Sequence, residues 1–205
     1  MSAPRIATLI SGGGRTVLNL LESIRDGGLD ASIAVVIADR EGIKGIQRCR
    51  DAGLEVIVIT GPDRDDRIDA ELDRRDIDLV CLCGYLRHFR IPSHRTGRIM
   101  NIHPSLLPRH GGRGMYGDRV HQSVLASGDR TSGCTVHFVD DQYDHGPVIL
   151  QRECPVQPAD TADQLASRVF AEETIAYPEA IGMVLSGRAV MESRDENAGG
   201  INQEA

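Results

Sequence analysis

The first half of the chain alternates short apolar runs with stretches in which apolar residues recur at helical spacing. The apolar runs predict buried strands at residues 5–10, 31–39, 54–60 and 77–84. The intervening stretches predict helices that begin at Thr16 and that cover residues 42–53 and 65–76. Because strands joined by helices pair in parallel, this alternation predicts a parallel sheet covered by helices on both faces.

The pattern changes after residue 100. Residues 134–140 alternate apolar and polar positions, as a half-exposed strand does, and residues 146–156 do so again. Only the short stretch "DQYDH" separates them, which predicts an antiparallel hairpin. The predicted fold class is therefore α/β: an open, mostly parallel Rossmann-like sheet with an antiparallel hairpin in the C-terminal half.

The longest helical pattern covers residues 161–188. Asp160 or Thr161 is suited to cap its start, and we expect Pro178 to kink or interrupt it. The polar, glycine-bearing segment that follows predicts a disordered tail at residues 191–205. Residues 1–190 are then expected to form a single domain.

Composition and charge exclude several classes of function. The 205 residues carry a formal net charge of −7, with 3% aromatic residues and no tryptophan. Nucleic-acid binding needs a basic surface and often aromatic stacking, so we expect no nucleic-acid partner. No apolar run approaches the roughly 18 residues that span a membrane, so we expect no membrane partner. An anionic substrate would have to be held by local groups, because the overall field is repulsive.

The cysteines and the N-terminus bear on the compartment. Five cysteines are present, an odd number, at spacings that match no structural zinc site: Cys49, Cys81, Cys83, Cys134 and Cys154. We therefore expect buried thiols in a reducing compartment. The apolar core of "MSAPRIATLIS" is too short for a signal peptide, so the default expectation is a cytoplasmic protein.

The stretch "LISGGGRT" places three glycines between the first strand and the first helix. A plain tight turn would explain them, but such a loop also lets backbone N–H groups and the helix dipole hold an anion. The dinucleotide fingerprint is incomplete, because Val17 stands at the third glycine position, although Asp39 ends the second strand where a ribose-binding acid would sit. A phosphomonoester at Gly14, Arg15 and Thr16 fits better.

The run "RIMNIH" predicts a strand that ends in Asn101 and His103. Side chains two residues apart on a strand point the same way, so an amide and an imidazole could both reach one oxygen that gains charge during a reaction. A core histidine beside a turn-forming amide is the plain alternative. Ser105 as a nucleophile is a weaker alternative, because nothing marks it as sitting on a sharp exposed turn. A metal site with His137 and Asp144 is weaker still, because these residues do not form a recognisable ligand spacing.

Four stretches in this order, "LISGGGRT", "MNIHPSLLP", "GCTVHFVDDQYDHGPVILQ" and "EETIAYPEAI", resemble the folate-dependent formyltransferases. The resemblance covers roughly residues 5–188 and, within that superfamily, is to the phosphoribosylglycinamide formyltransferases of purine biosynthesis. Other members carry an added N- or C-terminal domain, and the short chain favours this family. The resemblance implies the formyltransferase fold.

The resemblance also implies a reaction. The amine of glycinamide ribonucleotide would attack the formyl carbon of 10-formyltetrahydrofolate, a co-substrate, and no metal is expected. Asn101 and His103 would bind the oxyanion of the tetrahedral intermediate, with protonated His103 as the proton donor. Asp144 would hold the orientation and charge of that imidazole, since a nearby carboxylate favours an imidazolium.

Substrate contacts follow from the same resemblance. Those expected at the ribonucleotide are Gly14, Arg15, Thr16 and Glu173, and those expected at the folate are Arg64, Leu86, Arg87, His88, Phe89 and Asn101. The expected partners are these two small molecules, with the protein a monomer or a homodimer. Residues 109–131 differ from the family's best-known members and could form a mobile flap over the substrate.

Three alternatives to this function stay open at this point. The same chemistry on another amine, such as a sugar nucleotide, would keep the Asn101, His103 and Asp144 core. A dinucleotide oxidoreductase would use the glycine loop differently. A nucleotide-binding module without catalysis would need no proton donor beside an amide.

Overall fold

A computed structural model describes residues 3–191. Within them the strands are β1 (Arg5–Ile10), β2 (Ser32–Ala38), β3 (Val56–Val58), β4 (Leu79–Leu82), β5 (Ile99–His103), β6 (Thr131–Phe138) and β7 (Val148–Pro155). The helices are α1 (Arg15–Arg25), α2 (Lys44–Asp51), α3 (Arg64–Arg74), α4 (Asp118–Ser127) and α5 (Ala162–Leu185), with a 3-10 turn at Ser93–Arg95. No helix in this part of the chain is long and apolar enough to cross a bilayer.

The strands form one sheet in the order β3-β2-β1-β4-β5-β6-β7. Pairing is parallel from β3 to β5 and antiparallel from β5 to β7, so the predicted α/β class and the C-terminal hairpin are confirmed. The strand order reverses between β1 and β4. In open sheets of this kind the crevice at that reversal, beyond the carboxyl ends of the strands, is where ligands bind.

Two apolar clusters cover the two faces of the sheet. One joins the sheet to α1, α2, α4 and α5, and it includes the fully buried Leu20 and Tyr177. The other joins the opposite face to α3 through Ile68 and Leu72, and it includes Phe89 from the segment after β4. All five cysteines are buried and free, as the sequence predicts.

Helix α5 runs without interruption through Pro178. The prediction that this proline interrupts the helix is therefore wrong. Thr161 caps the start: its hydroxyl accepts from the backbone of Gln164, whose side chain accepts from the backbone N–H of Thr161 in return. Next to the proline, the buried Tyr177 hydroxyl contacts the carbonyl oxygens of Leu82 (2.9 Å) and Met100 (3.3 Å), which attaches the helix to β4 and β5.

The segment expected to form a flap, residues 109–131, contains helix α4, which the sequence reading missed. Val120, His121 and Val124 are buried, and the helix packs on α5. Only two apolar residues recur at helical spacing there, and glycines surround them, so the pattern was too weak to predict a helix. The predicted disorder concerns residues 191–205, of which all but residue 191 lie outside the described residues.

Candidate active site

Asn101 and His103 end strand β5, at the carboxyl edge of the parallel part of the sheet. Asn101 is partly buried and His103 is 3% exposed. Being two residues apart on a strand, they project from the same face, as predicted. Both side chains line one cavity of about 500 Å³.

Asp144 reaches this pair from the loop between β6 and β7. Its Oδ2 lies 3.5 Å from Nδ1 of His103, and its Oδ1 lies 3.5 Å from Nδ2 of Asn101. The backbone N–H of Gly112 donates to Oδ2 at 2.9 Å, and Asp144 itself has a left-handed φ of 55°. The carboxylate, from a distant part of the chain, therefore lies 3.5 Å from both the amide and the imidazole.

His137 is a member of this group that the sequence reading set aside. It pairs with Asn101 across β5 and β6, and its Nε2 lies 3.2 Å from Nδ2 of Asn101. Its Nδ1 lies 2.7 Å from the carbonyl of Phe138, which can only accept, so Nδ1 carries the hydrogen. Burial lowers the pKa of His137, which keeps the ring neutral and leaves Nε2 to accept from Asn101. His137 thus orients the amide, a role that only the strand register reveals.

The second ring nitrogen of His103 also has a partner. Nε2 of His103 lies 2.9 Å from the carbonyl oxygen of His110. A carbonyl only accepts, so Nε2 carries a hydrogen, and Nδ1 is the ring nitrogen that faces Asp144.

Three of the residues predicted to bind the ribonucleotide line the 500 Å³ cavity: Arg15, Thr16 and Glu173. Gly14 does not line it. It forms the N-cap of α1 with a φ of 73°, and a Cβ there would lie 3.0 Å from Cα of Gly45. Glycine is thus required at this turn by both conformation and space.

Two charged groups stand on the wall of this cavity. The guanidinium of Arg15 lies 4.2 Å from the centre of the Phe170 ring, a cation–π contact. Burial raises the pKa of Glu173 to about 7, and Arg15 partly opposes that rise. Phe170 was not singled out from the sequence, because an aromatic residue on a long helix is ordinarily part of the core.

A smaller cavity of about 60 Å³ adjoins the large one. Four of the residues predicted to bind folate line it: Arg87, His88, Phe89 and Asn101. Tyr85, Asn101, Tyr143 and Asp144 line both cavities, so the two spaces meet at the amide and the carboxylate. The rings of His88 and Tyr143 lie 5.4 Å apart, edge to face, beside the smaller space.

The other two predicted folate residues lie elsewhere. Leu86 lines the large cavity rather than the small one. Arg64 lines neither cavity; its Nη2 donates to the carbonyl of His88 at 3.0 Å, so it supports the segment that lines the small cavity.

Asp39, the acid at a ribose-binding position, forms hydrogen bonds with side chains of the protein itself. Its carboxylate accepts from Ser11 at 2.8 Å, from Arg40 at 3.0 Å and from Arg87 at 3.3 Å. Burial acts to raise the pKa of Asp39, but these hydrogen bonds outweigh it and the net shift is downward. Ser11 in turn accepts from the backbone of Leu86, so the network fixes the segment after β4 and does not present a free acid to a ribose.

One group of side chains within the described residues has the spacing to hold a metal ion: Asp69, Asp73 and His94. It stands on α3 and the 3-10 turn, outside the linings of both cavities. Arg95 forms ion pairs with both carboxylates, which already compensates their charge.

Comparison with known proteins places this geometry in a family. The chain is 38% identical over 195 residues to the chloroplastic phosphoribosylglycinamide formyltransferase of Vigna unguiculata, covering 91% of this chain and 62% of that protein. It is 39% identical over 197 residues to the trifunctional purine biosynthetic protein adenosine-3 of Drosophila melanogaster, covering 91% of this chain and 14% of that protein. The chain thus spans less than two thirds of the length of these curated relatives.

Solved structures agree with these matches. Glycinamide ribonucleotide transformylase 1 from Symbiobacterium toebii superposes with a TM-score of 0.85 at 39% identity, over 94% of this chain and 92% of that one. The phosphoribosylglycinamide formyltransferase of Coxiella burnetii superposes with a TM-score of 0.85 at 33% identity, over 93% and 91% of the two chains. The family model described as formyl transferase matches residues 4–181. This chain therefore belongs to the formyl transferase family.

Proposed function

We propose that this protein transfers the formyl group of 10-formyltetrahydrofolate to the amine of phosphoribosylglycinamide, a step of purine biosynthesis. The observation that carries the proposal is the meeting of two cavities at Asn101 and Asp144, with His103 beside them. A transfer between two substrates needs two adjoining spaces, with the reacting atoms at their junction.

The oxyanion would form at this junction. The amine nitrogen bonds to the formyl carbon while the carbonyl electron pair moves to oxygen. Nδ2 of Asn101 has one hydrogen directed to His137, and the other makes only a 3.5 Å contact with Asp144. That second hydrogen is the donor available to the oxyanion, and such a donor is typically worth about 10²–10³ in kcat.

His103 would manage the proton. Collapse of the intermediate breaks the bond between the formyl carbon and N10 of the folate; the former amine loses one proton and N10 gains one. Nδ1 of His103 is suited to this transfer, because Nε2 is engaged by a carbonyl while Nδ1 faces Asp144 at 3.5 Å. Asp144 keeps the imidazole turned so that Nδ1 faces the junction.

The ribonucleotide would occupy the 500 Å³ cavity. Its phosphate would lie at the N-terminus of α1, near the Thr16 hydroxyl, the guanidinium of Arg15 and the backbone turn formed by Gly14. With a net charge of −7 on the chain, such local groups have to supply the attraction. Glu173, on α5, would contact the polar sugar.

The formyl donor would enter through the smaller cavity, with its ring along Arg87, His88 and Phe89, and Leu86 would contact it from the side of the large cavity. The rings of His88 and Tyr143, 5.4 Å apart, would border the donor there. Arg64 acts here through its hydrogen bond to the His88 carbonyl.

The test is an assay that follows tetrahydrofolate release from 10-formyltetrahydrofolate, with phosphoribosylglycinamide and without any acceptor. We expect turnover only with the ribonucleotide, loss of that turnover in Asp144→Asn, and unchanged turnover in His94→Ala, whose histidine lies outside both cavities. Equal release without acceptor would mean hydrolysis of the donor instead. Release only with another amine, such as an aminosugar nucleotide, would replace the proposed acceptor, and no release with any amine would contradict the proposal.

A further inference from the structure

We infer that His110 is a positioning residue for the reaction, one that fixes the orientation and tautomer of His103 through the backbone. This inference rests on the proposed function, because it assigns His110 a role in the same proton transfer. His110 was noted in the sequence only as one of several basic residues in the segment that departs from the family pattern.

The carbonyl of His110 is the partner of His103 Nε2, at 2.9 Å. His103 is 3% exposed, so solvent offers little in place of that acceptor. With Nε2 committed as a donor to this carbonyl, Nδ1 is the ring nitrogen that faces Asp144. The carbonyl thereby selects which nitrogen faces the junction of the two cavities.

The same turn holds Asp144. Two residues after His110, the N–H of Gly112 donates to Oδ2 of Asp144 at 2.9 Å. The intervening Gly111 is closely packed, since a Cβ there would lie 2.3 Å from Cδ2 of Leu107 and 3.3 Å from Cβ of Asp144. The turn at residues 110–112 therefore holds the imidazole with one end and the carboxylate with the other, and a shift of the turn moves both.

The side chain of His110 attaches this turn to helix α4 and to the residues that follow it. Its Nδ1 lies 2.8 Å from the hydroxyl of Ser123 on α4, and its Nε2 lies 2.8 Å from Oδ2 of Asp129, just beyond that helix. The hydrogen bond from His110 also holds the pKa of Asp129 below its ordinary value, so the partner is a carboxylate. Arg109, the residue before His110, pairs with the same carboxylate at 2.5 Å.

The backbone of His110 needs such an attachment. Its φ is 55°, in the left-handed region that non-glycine residues rarely adopt. Two side-chain hydrogen bonds compensate that conformation and aim the carbonyl at His103. Without them the turn can relax to ordinary φ values, which would turn the carbonyl away and leave Nε2 of His103 without its acceptor.

The experiment compares His110→Phe, which keeps a ring but removes both hydrogen bonds, with His110→Gln, whose amide can still donate to Asp129. His94→Phe is the matched control, because His94 also pairs with an aspartate, at 3.3 Å, outside both cavities. We expect kcat to fall about 10- to 100-fold in His110→Phe, with the KM of each substrate changed less than about threefold. His110→Gln should recover most of kcat, and His94→Phe should match the unmodified enzyme.

A second readout does not depend on turnover. Nitrogen-15 NMR of the ligand-free protein, with His103 assigned by its loss in His103→Gln, reports which ring nitrogen carries the hydrogen. We expect Nε2 to carry a hydrogen in the unmodified protein and to carry it only in part in His110→Phe, with circular dichroism verifying that the variant is folded. An unchanged tautomer together with unchanged kcat would overturn the inference. If the tautomer changes as expected but the unmodified protein forms no formylated product, the positioning stands and the proposed function fails.

Discussion

Strands β1 and β4 lie beside β5 and β6 in one sheet and are buried to the same degree, yet their side chains differ in kind. β1 and β4 bury aliphatic residues and one cysteine almost throughout, with Thr8 as the exception. β5 and β6 bury Met100 and Val136 but also His103, Thr135 and His137. The polar side chains concentrate where the parallel part of the sheet meets the antiparallel part.

The difference shows that β5 and β6 carry polar side chains at positions where aliphatic ones would stabilise the fold more. A buried polar group without a partner costs about 1–3 kcal/mol, so a sheet built only for stability would continue the aliphatic pattern of β1. Around Asn101 and His103, the buried polar groups of β5 and β6 are instead held by others: His137 by Phe138 and Asn101, and Thr135 by three hydrogen bonds. The Ser132 hydroxyl, near the start of β6, is buried without a hydrogen-bond partner among the described residues. The polar region thus has the rigidity of a core together with the donors of a reactive site.

The largest effect is expected at the centre of the polar region. His103→Ala should lower kcat about 10³-fold, since general acid–base groups contribute about 10²–10⁴. The KM of both substrates should change little, because the alanine removes a proton carrier and leaves the cavity walls in place. Steady-state kinetics checks this, with His94→Ala as a control for loss of a histidine. A drop of less than about tenfold would mean that the buried imidazole is only structural.

Replacing a buried threonine by valine should change the free energy of unfolding in opposite directions in the two regions. Thr135→Val, in the polar region, should have the larger effect. The Thr135 hydroxyl donates to Ser105 at 2.7 Å and accepts from the Leu107 N–H at 3.0 Å and from Gln151 at 2.8 Å. Losing all three should lower the free energy of unfolding by about 2–3 kcal/mol. Urea unfolding measures it, and a neutral result would mean that the hydrogen bonds of the polar region do not stabilise the fold.

A substitution at Glu173, which lies on α5 and lines the large cavity, is expected to make the protein more stable. The pKa of Glu173 rises from 4.5 in an unfolded chain to about 7 in the folded protein. The favourable contribution of Glu173 to the free energy of unfolding is therefore complete below pH 4.5 and is lost as the pH rises through 7. At pH 8, Glu173→Gln should raise the free energy of unfolding by about 1–3 kcal/mol, and the gain should shrink as the pH falls toward 4.5.

Urea unfolding at several pH values measures this gain, and the same variant should raise the KM of the ribonucleotide. Stabilisation that is independent of pH would show that burial of the charged form is not the cause.

The smallest effect is expected in the apolar region. The hydroxyl of Thr8 on β1 is buried without a hydrogen-bond partner among the described residues. Thr8→Val keeps the shape and removes the unpaired oxygen, so it should stabilise the protein by up to about 1 kcal/mol and leave kcat unchanged. Thermal unfolding measures the stability of Thr8→Val, and the transfer assay measures its kcat. A loss of stability would show that the buried, unpaired hydroxyl does not destabilise the fold.

Sequence patterns predicted the apolar region far better than the polar one. The runs that became β1 and β4 are aliphatic and bounded by polar residues or glycine, so their periodicity was unambiguous. The shared direction of Asn101 and His103 also followed from their spacing on a strand. The sheet topology confirms the fold class and the hairpin, and the match to the family model confirms the resemblance.

The rest of the candidate site depends on contacts between distant segments. Asp144 was one of several loop acids, and only the resemblance singled it out. His137 needed the register of β6 against β5, and the carbonyl of His110 needed a left-handed turn that no local rule places on a histidine. Helix α4 was missed because its apolar positions are few.

The measurement that tests the account most directly is a double-mutant cycle on Asn101→Ala and His103→Ala, with kcat/KM for formyl transfer as the readout. The account holds that both side chains act on one tetrahedral intermediate, Asn101 at its oxyanion and His103 at its protons, so they work as a unit and their losses should not multiply. With single losses of about 10² and about 10³, the double variant should lie within about tenfold of His103→Ala alone. A double variant that loses the full product, about 10⁵, would mean that the two residues act independently and would contradict the account.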